Sequence, residues 1–236
     1  MKIKYLLVGL GFALLSASAQ AIEPGLYISN KLAGIITRTR DNKSKYSASV
    51  PPGEGTSDSD MGIGNRVAVG FETLLDMGKM RTEFEVGLSP KIKVKVVSKK
   101  QMEEVMYARS RSMTYTLNAY YDFETRTIFT PYVGFGIGIA NINAKYNYDS
   151  VIIDGQYMKG KVETNNFTYN FGIGVSCAID EQIFIDFGYR HTNFGTVEGP
   201  IKYKEYDYGS VFDLDYVITH SKVSSNEILL GLRYSF

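Results

Sequence analysis

The sequence has 236 residues, 44% of them hydrophobic and 22% charged, and its 26 Lys and Arg nearly balance its 25 Asp and Glu, for a formal net charge of +1. This balance provides no basic footprint for nucleic acid. The mature sequence has no run of about 18 apolar residues, which excludes a transmembrane helix. The single cysteine, Cys177, cannot form an internal disulfide and is interpreted as a small apolar filler. The 18 Tyr, 13 Phe and 23 Gly favour β structure.

The first residues have the pattern of a secretory signal peptide. Two lysines precede an apolar core at residues 6–15, and a small-x-small cleavage site ends at Ala21. We predict that residues 1–21 are a signal peptide and that residues 22–236 form one domain. No cysteine follows the cleavage site, so we expect no lipid anchor at the mature amino-terminus.

Eight segments alternate apolar and polar residues with a period of two, which predicts strands with one apolar face. In chain order they are residues 26–36, 67–75, 80–88, 113–123, 131–140, 167–179, 183–189 and 228–236. The third segment continues in the same phase through Ile92, Val94 and Val96. The connections alternate between short turns and long polar stretches, the long ones being residues 39–61, 98–110, 147–164 and 196–222.

The last segment, ILLGLRYSF, has an apolar face that nothing later in the chain could cover. In a soluble sandwich that face would need a partner sheet, whereas in a membrane barrel it needs only lipid. A sandwich also explains the alternation, but it gives no reason why the predicted apolar faces hold no charged residue at all. Long and short connections alternate in outer-membrane barrels. We therefore predict an all-β fold, an eight-stranded antiparallel up-and-down transmembrane β-barrel with four long external loops.

The opposite faces of the same segments collect five basic and six acidic residues. Buried charges are tolerated when they are paired and hydrogen-bonded. We therefore predict that these residues form a charge network in a narrow polar lumen: Lys31, Arg66, Glu72, Arg81, Glu83, Glu85, Asp122, Asp186, Arg190, Glu227 and Arg233.

Three motifs carry a family resemblance: PYVGFGIGIA preceded by AYYDFE, FGYR at residues 187–190, and the carboxyl-terminal Tyr-x-Phe. With them the chain resembles small outer-membrane β-barrel proteins of the opacity-protein and OmpA-like surface-antigen type. The resemblance covers the mature chain loosely and is sharpest over residues 120–236. It implies contact with outer-membrane lipid and lipopolysaccharide, and recognition of the strand ending at Phe236 by the outer-membrane assembly machinery. It also implies loops that carry the activity.

The glycines of the fifth segment invite a nucleotide-binding interpretation. Such a loop needs a strand-to-helix turn with the anion at the start of the helix. Here the alternation runs straight through Gly134, Gly136 and Gly138. We expect instead that these inward glycines leave room for large inward side chains of opposite strands, and we predict no cofactor.

The two histidines are the candidates for base catalysis. Lipid A deacylases of the barrel type use a His and a Ser one residue apart on a strand, but the residue in that position after His191 is Asn193. Protease barrels place carboxylates and His at the rim of ten strands, which Asp213, Asp215 and His220 could mimic, but eight strands are predicted. We therefore predict no catalytic residue.

The long connections hold two further candidates. Asp58-Ser59-Asp60 and Asp213-Leu214-Asp215 lack the spacing of a calcium cage, so no metal site is predicted. The fourth connection is rich in aromatic residues, a composition typical of recognition surfaces. The residues Phe212, Leu214, Tyr216 and Ile218 keep the phase of the last strand, so an extension of that strand is an equally good interpretation. These ligand-binding candidates are Tyr203, Tyr206, Tyr208, Phe212 and Tyr216.

The leading functional prediction is a non-enzymatic surface protein whose barrel is an anchor and whose external loops serve adhesion, ligand binding or antigenic display. Its partner would be a host or surface ligand. The alternative is a lipid-modifying barrel enzyme of the deacylase type. A narrow pore comes third, because the lumen of eight strands is filled by side chains.

Overall fold

The computed structural model describes residues 25–46, 53–54, 58–97, 105–149, 157–207 and 210–236. The predicted signal peptide lies outside these ranges, so the division at residue 21 stays a prediction. Tyr208, one of the predicted ligand-binding residues, also lies outside them. Within the described ranges, no helix has the length and apolar character needed to cross a membrane.

Ten strands form one sheet. They are β1 (Leu26–Tyr46), β2 (Gly53–Glu54), β3 (Asp58–Leu75), β4 (Gly78–Leu88), β5 (Ile92–Val97), β6 (Val105–Phe123), β7 (Phe129–Asp149), β8 (Tyr157–Ala178), β9 (Ile183–Asp207) and β10 (Ser210–Ser235). The long strands pair in chain order, and β10 closes on β1. The short strands add no wall of their own, because β2 pairs with β1 and β5 follows β4 along β6. The wall therefore has eight antiparallel strands, which confirms the predicted barrel.

The two ends of the barrel differ. At one end short turns join β3 to β4, β6 to β7 and β8 to β9, and the chain enters and leaves the wall, where Phe236 N donates to Leu26 O at 3.0 Å. We call this the turn end. At the other, the hairpin end, the strands of each long connection run on beyond the predicted segments.

Side chains alternate between the inside and the outside of the wall along every long strand. Large apolar side chains lie exposed on the outside, for example Leu32 at 53%, Phe187 at 58% and Leu230 at 54%. The inside is mostly polar and buried. This outer surface of apolar side chains, which circles the barrel, is called the apolar band below. The phases of the eight predicted segments are confirmed by it.

One extension of a predicted phase was wrong. Ile92 is only 5% exposed and points inward, whereas Lys91 and Lys93 on either side of it are exposed. Pro90 has no N–H to donate, so the ladder breaks between β4 and β5. The register with β6 moves by one residue across the break, since Leu88 pairs with Met113 but Ile92 pairs with Ser110. A shift of one residue moves every later side chain to the other face.

The predicted loops are largely strand. The β7–β8 ladder continues to the pair Asp149–Tyr157, inside the predicted loop 147–164. The β9–β10 ladder continues to Asp207–Ser210, inside the predicted loop 196–222. Antiparallel pairing satisfies backbone groups whatever the side chains are, so a ladder persists where the outer face is no longer apolar. The extent of these irregular loops was therefore overestimated.

Candidate functional sites in the lumen and at the rim

Glu85 of β4 lies at the centre of the lumen. Arg190 donates to both of its oxygens, at 2.6 and 3.1 Å, and the Lys31 ammonium donates to it at 3.0 Å and also to Glu83. Tyr120 joins the two acids, because its hydroxyl donates to Glu83 Oε1 at 3.0 Å and accepts from Arg190 Nη2 at 2.7 Å. Each buried charge thus has an opposite charge and further hydrogen bonds beside it, the arrangement that burial requires.

Arg66 and Glu227 form a second pair in the same lumen. Arg66 Nε donates to Glu227 Oε2 at 2.9 Å, and its Nη2 donates to the other oxygen. Ser225 donates to Glu227 Oε1 at 2.9 Å, and Thr192 at 3.4 Å. The parallel fork of an arginine on a carboxylate fixes direction as well as charge. Because β10 closes on β1 and β3 lies on the other side of β1, this pair spans the closure of the barrel.

The remaining predicted charges lie nearer the turn end. Arg81 donates to Asp122 Oδ1 from two nitrogens, at 3.0 and 2.8 Å. Arg233 lies 3.4 Å from Asp186 and 3.2 Å from Glu72. Glu72 is the least buried of the eleven residues, and it also forms an ion pair with Lys79 at 3.5 Å. The structure thus places all eleven residues of the predicted network on the inner face, in two clusters of ion pairs that Tyr120 joins.

Three tyrosines of the inner face were missed by the sequence analysis: Tyr27, Tyr120 and Tyr132. The Arg81 guanidinium lies between two of them, 4.9 Å from the Tyr120 ring centre and 5.1 Å from that of Tyr132. A Cβ added at Gly134 would lie 2.3 Å from the Tyr120 ring, and one at Gly174 would lie 2.4 Å from Tyr132. Inward tyrosines facing inward glycines were the available signal. The glycines accommodate side chains of directly paired strands, not of opposite ones as expected.

The packed side chains leave little space inside. A cavity of about 10 Å³ lies among Lys31, Arg81, Tyr120 and Asp186. That is roughly the space of one water molecule. Within the described part of the chain, Asp186 Oδ1 has no hydrogen-bond partner, and a single water here would satisfy it. Paired charges surround this small cavity in the lumen.

His191 lies on the outer surface of β9, at the edge of the apolar band. Its Nδ1 is 2.9 Å from Asn226 Oδ1, and the Tyr189 hydroxyl donates to the same oxygen at 2.8 Å. Asn193, in the position of a deacylase serine, accepts from Gly195 N at 2.8 Å. Among the described side chains, His191 thus contacts an amide and has neither a carboxylate nor a hydroxyl nucleophile in hydrogen-bond contact.

The rim candidates are only partly described. His220 lies 3.6 Å from Glu198, and the side chains of Asp213 and Asp215 are outside the description. Asp60 accepts from the backbone of Met61 at 2.9 Å and of Lys93 at 2.6 Å, so it stabilises the start of β3 against β5. Across the ranges that the structure describes, no group of three potential ligands lies close enough to bind a metal ion.

Four of the five aromatic candidates of the fourth connection lie in described strands, and Tyr208 is outside the described residues. The backbone of Tyr203 pairs with Leu214 and that of Phe212 with Glu205. Tyr206 pairs with Val211 and, on its other side, with Tyr157. Tyr216 lies at a register irregularity of β10 between Leu214 and Val217. Their backbones belong to a strand extension at the hairpin end, and of their side chains nothing is described.

A further group at the hairpin end was missed. Lys93, Arg109, Lys145 and Lys161 are direct cross-strand partners in sequence across β5, β6, β7 and β8. All four are exposed and lie on the outer surface. We call these four residues the cation row. The sequence analysis could not find this row, because the alternation within one strand does not show which residues of the next strand are its partners.

A comparison with known families matches residues 5–236 to the outer membrane protein beta-barrel domain. The chain belongs to this family. It is therefore a protein of the bacterial outer membrane, with its apolar band in lipid. In such barrels short turns face the periplasm and long connections face outward, so the hairpin end is external.

Individual relatives agree with this assignment. Outer membrane protein PagN of Salmonella typhimurium is 34% identical over 126 residues, which cover 53% of this chain and 50% of that protein. The match thus spans about half the length of this curated relative. Among solved structures, OprG of Pseudomonas aeruginosa has a TM-score of 0.53 at 17% identity, with 93% of this chain and 99% of that chain covered. The protease OmpT of Escherichia coli has a TM-score of 0.51 at 8% identity, covering 93% and 100%. At these identities the likeness concerns the fold.

Proposed function

We propose that this outer-membrane barrel is a closed anchor and that its external strand extensions form an adhesion-type binding surface. The observation that carries the proposal is strand length. β9 has 25 residues and β10 has 26, whereas a membrane-spanning β-strand needs about 9–11. From the last apolar residue of the band on β9, Tyr189, the strand runs on to Asp207, which extends on the order of 40 Å beyond the membrane at a rise of about 3.3 Å per residue and a tilt of about 40°.

The extension has the composition of a recognition surface. Four of the five predicted aromatic candidates lie in the paired part of β9 and β10, at Tyr203, Tyr206, Phe212 and Tyr216. Aromatic residues on a fixed backbone bind with little loss of conformational entropy. The backbone pairing of β9 with β10, which has two register shifts, provides such a fixed backbone at Tyr203, Tyr206 and Phe212.

The other surfaces support an anchor without chemistry of its own. In the lumen each predicted charge has an internal partner, which argues against a conducting pore. On the wall, His191 is held by Asn226 and has no nucleophile beside it among the described residues. We accordingly propose that the protein is not an enzyme. The double variant His191→Ala with His220→Ala should leave lipid A in producing cells unchanged by mass spectrometry, and an acyl chain lost only when His191 is present would contradict this.

Shortening the β9–β10 hairpin tests the binding surface. Gly199 and Thr219 are paired, so residues 200–218 can be replaced by Asn-Gly, which closes a two-residue turn at the same register. The matched control joins the pair Thr39–Asp58 in the same way and removes residues 40–57 from the β1–β3 hairpin. Non-adherent bacteria that produce each form are tested for adherence to cultured epithelial cells.

We expect adherence with the full chain and with the control, and loss of adherence with the shortened β9–β10 hairpin. Both variants should still show a change of gel mobility on heating, as folded outer-membrane barrels do. Adherence that survives the shortening, or that is lost only in the control, would overturn the assignment to β9–β10.

A further inference from the structure

The cation row is an unusual arrangement for a β-sheet. Side chains of directly paired residues have their Cβ atoms about 4.5–5.5 Å apart, and like charges in that position are destabilising. Here Lys93 faces Arg109, which also faces Lys145, and Lys145 faces Lys161. The backbone of Lys202 continues the row on β9. Water and salt relieve part of this repulsion, and a bound anion would relieve more of it.

The protein itself supplies little counter-charge. Among the described residues, one carboxylate forms an ion pair with the row: Glu163, which lies 2.5 Å from Lys161 Nζ. The pKa of the Glu163 carboxyl is lowered because Lys161 donates a hydrogen bond to it and adds positive charge. By comparison, Lys222 on the other side of the same rim forms an ion pair with Asp41 at 2.7 Å.

The position of the row indicates where the missing anions are. On β7, Lys145 follows the exposed apolar residue Ile139 by six positions, and on β8, Lys161 precedes Phe167 by six. Six residues of tilted strand place these two cations on the order of 15 Å beyond the apolar band. They point sideways from the wall, over the lipid leaflet, and not upward from the hairpin tips.

We propose that the cation row binds the phosphorylated core of neighbouring lipopolysaccharide molecules in the same membrane. Basic residues clustered beside a membrane bind anionic lipid headgroups. Four cations at a strand spacing of about 4.8 Å span about 14 Å along the wall, enough for several phosphate groups at once. Arg109 adds a planar fork suited to phosphate oxygens, and the lysines add mobile point charges.

A partner on another cell fits these observations less well. It would approach from above and would meet the hairpin tips first, whereas the row faces the leaflet that surrounds the barrel. This site is separate from the proposed adhesion surface on β9 and β10, and either could exist without the other.

The direct test measures binding of the purified full chain, folded in zwitterionic detergent, to two probes. One probe is lipopolysaccharide with a phosphorylated core, and the other is the same material after chemical removal of its phosphates. The row variant is Arg109→Gln with Lys145→Gln. The matched control is Arg38→Gln with Arg40→Gln, two exposed basic residues of β1 at the same rim but outside the row.

We expect the row variant to bind phosphorylated lipopolysaccharide roughly thirtyfold more weakly, since each basic residue at an anionic lipid surface contributes about a fivefold change. The wild type should bind the dephosphorylated probe equally weakly, and the control should bind like the wild type. The swap Arg109→Lys with Lys145→Arg keeps the charge and should keep the affinity. Heat-dependent gel mobility checks that every variant is folded.

A second variant should act in the opposite direction. Glu163→Gln removes the one carboxylate that is described in an ion pair with the row and leaves Lys161 without it, so binding of phosphorylated lipopolysaccharide should become about fivefold tighter. A merely structural role of the row would not produce a gain of affinity.

Three results would overturn the proposal. The row variant could bind as the wild type does, or the Arg38 and Arg40 control could lose as much affinity as the row variant. The third result is that the row variant loses binding to heparin but keeps binding to lipopolysaccharide. That result would assign the row to a sulfated glycan instead.

Discussion

The lumen and the cation row use the same kinds of residue in opposite ways. In the lumen, Glu85 receives Arg190 and Lys31 within hydrogen-bond distance, and every predicted charge has a partner of opposite sign. In the row, Arg109 has a lysine as direct neighbour on each side. The two regions lie on opposite faces of the same wall, and both include residues of β6.

The two surfaces differ in the source of the charge that compensates their own. The charges of the lumen are buried, so their compensation comes mainly from the protein, and an unpaired charge there would be costly. The row faces outward, where ions or lipid phosphates can supply it. The internal pairing of the lumen supports its proposed role as an anchor, and the incomplete pairing of the row supports the proposed lipopolysaccharide site.

The largest expected effect comes from breaking the lumen pairing at its centre. Glu85→Gln leaves Arg190 and Lys31 buried without their shared acid, which should cost about 3–5 kcal/mol of folding stability. Urea unfolding of the barrel in lipid vesicles measures it. The control Glu163→Gln removes an exposed acid that is also paired with a lysine, and should leave the unfolding midpoint nearly unchanged. Equal losses in both variants would show that the lumen and the outside do not differ.

A charge on the apolar band should have the next largest effect. Ile173, near the middle of β8, is 50% exposed and faces lipid, so Ile173→Arg should cost about 2–4 kcal/mol. Ile179 is exposed too, but it lies just beyond the turn end of β8, and Ile179→Arg should cost about 0–1 kcal/mol. The same unfolding assay compares the two. An Ile173→Arg barrel of unchanged stability would contradict the assignment of this face to lipid.

A pair of glycine substitutions compares the density of the two faces. Gly134→Ala brings a methyl group against the Tyr120 ring inside the lumen, and overpacking of this kind costs about 1–3 kcal/mol. At Gly34, on the outer surface, the nearest atom to an added Cβ is 3.9 Å away, so Gly34→Ala should be tolerated. Thermal unfolding of the two variants decides, and an equally tolerated Gly134→Ala would mean that the lumen is loosely packed.

The smallest effect should appear in the row, and with the opposite sign. Arg109→Glu places an acid between Lys93 and Lys145, which replaces two repulsive cross-strand pairs by attractive ones and should add about 0.2–1 kcal/mol of stability. The measurement is made in detergent free of lipopolysaccharide. Arg38→Glu, whose paired neighbours are the uncharged Ser59 and Ser224, should give no such gain. A loss of stability on Arg109→Glu would mean that the row already has a counter-charge.

The wall could be predicted from the sequence because lipid selects one face of every strand. Residues such as Leu32, Phe187 and Leu230 lie on outward positions, from which lipid excludes charged side chains. Short turns between three pairs of strands completed the pattern. The same reasoning assigned all eleven inward charges. It failed at Ile92, where Pro90 shifts the register, because one proline changes the phase without changing the period.

Partners and extensions could not be predicted, since they depend on register and closure. Nothing in a single strand relates Arg66 to Glu227, which meet only when the last strand closes beside the first. The cation row is equally invisible until four strands are aligned. An extension of the last strand was one of the two interpretations of its aromatic residues, whereas the other strand extensions were missed. Their outer face is mostly polar, and without an apolar outer face the signal that identified the wall disappears while backbone pairing continues.

In the proposed function the lumen serves only the anchor, and the external strands bind the surface of another cell. Adherence to epithelial cells, measured per surface-exposed molecule, tests it with two variants in parallel. One replaces residues 200–218 by Asn-Gly, and the other replaces a lumen pair as a unit, Arg81→Met with Asp122→Leu. We predict that the lumen variant adheres like the wild type and that the shortened hairpin does not adhere. A folded lumen variant that fails to adhere, beside a shortened hairpin that still adheres, would contradict the account.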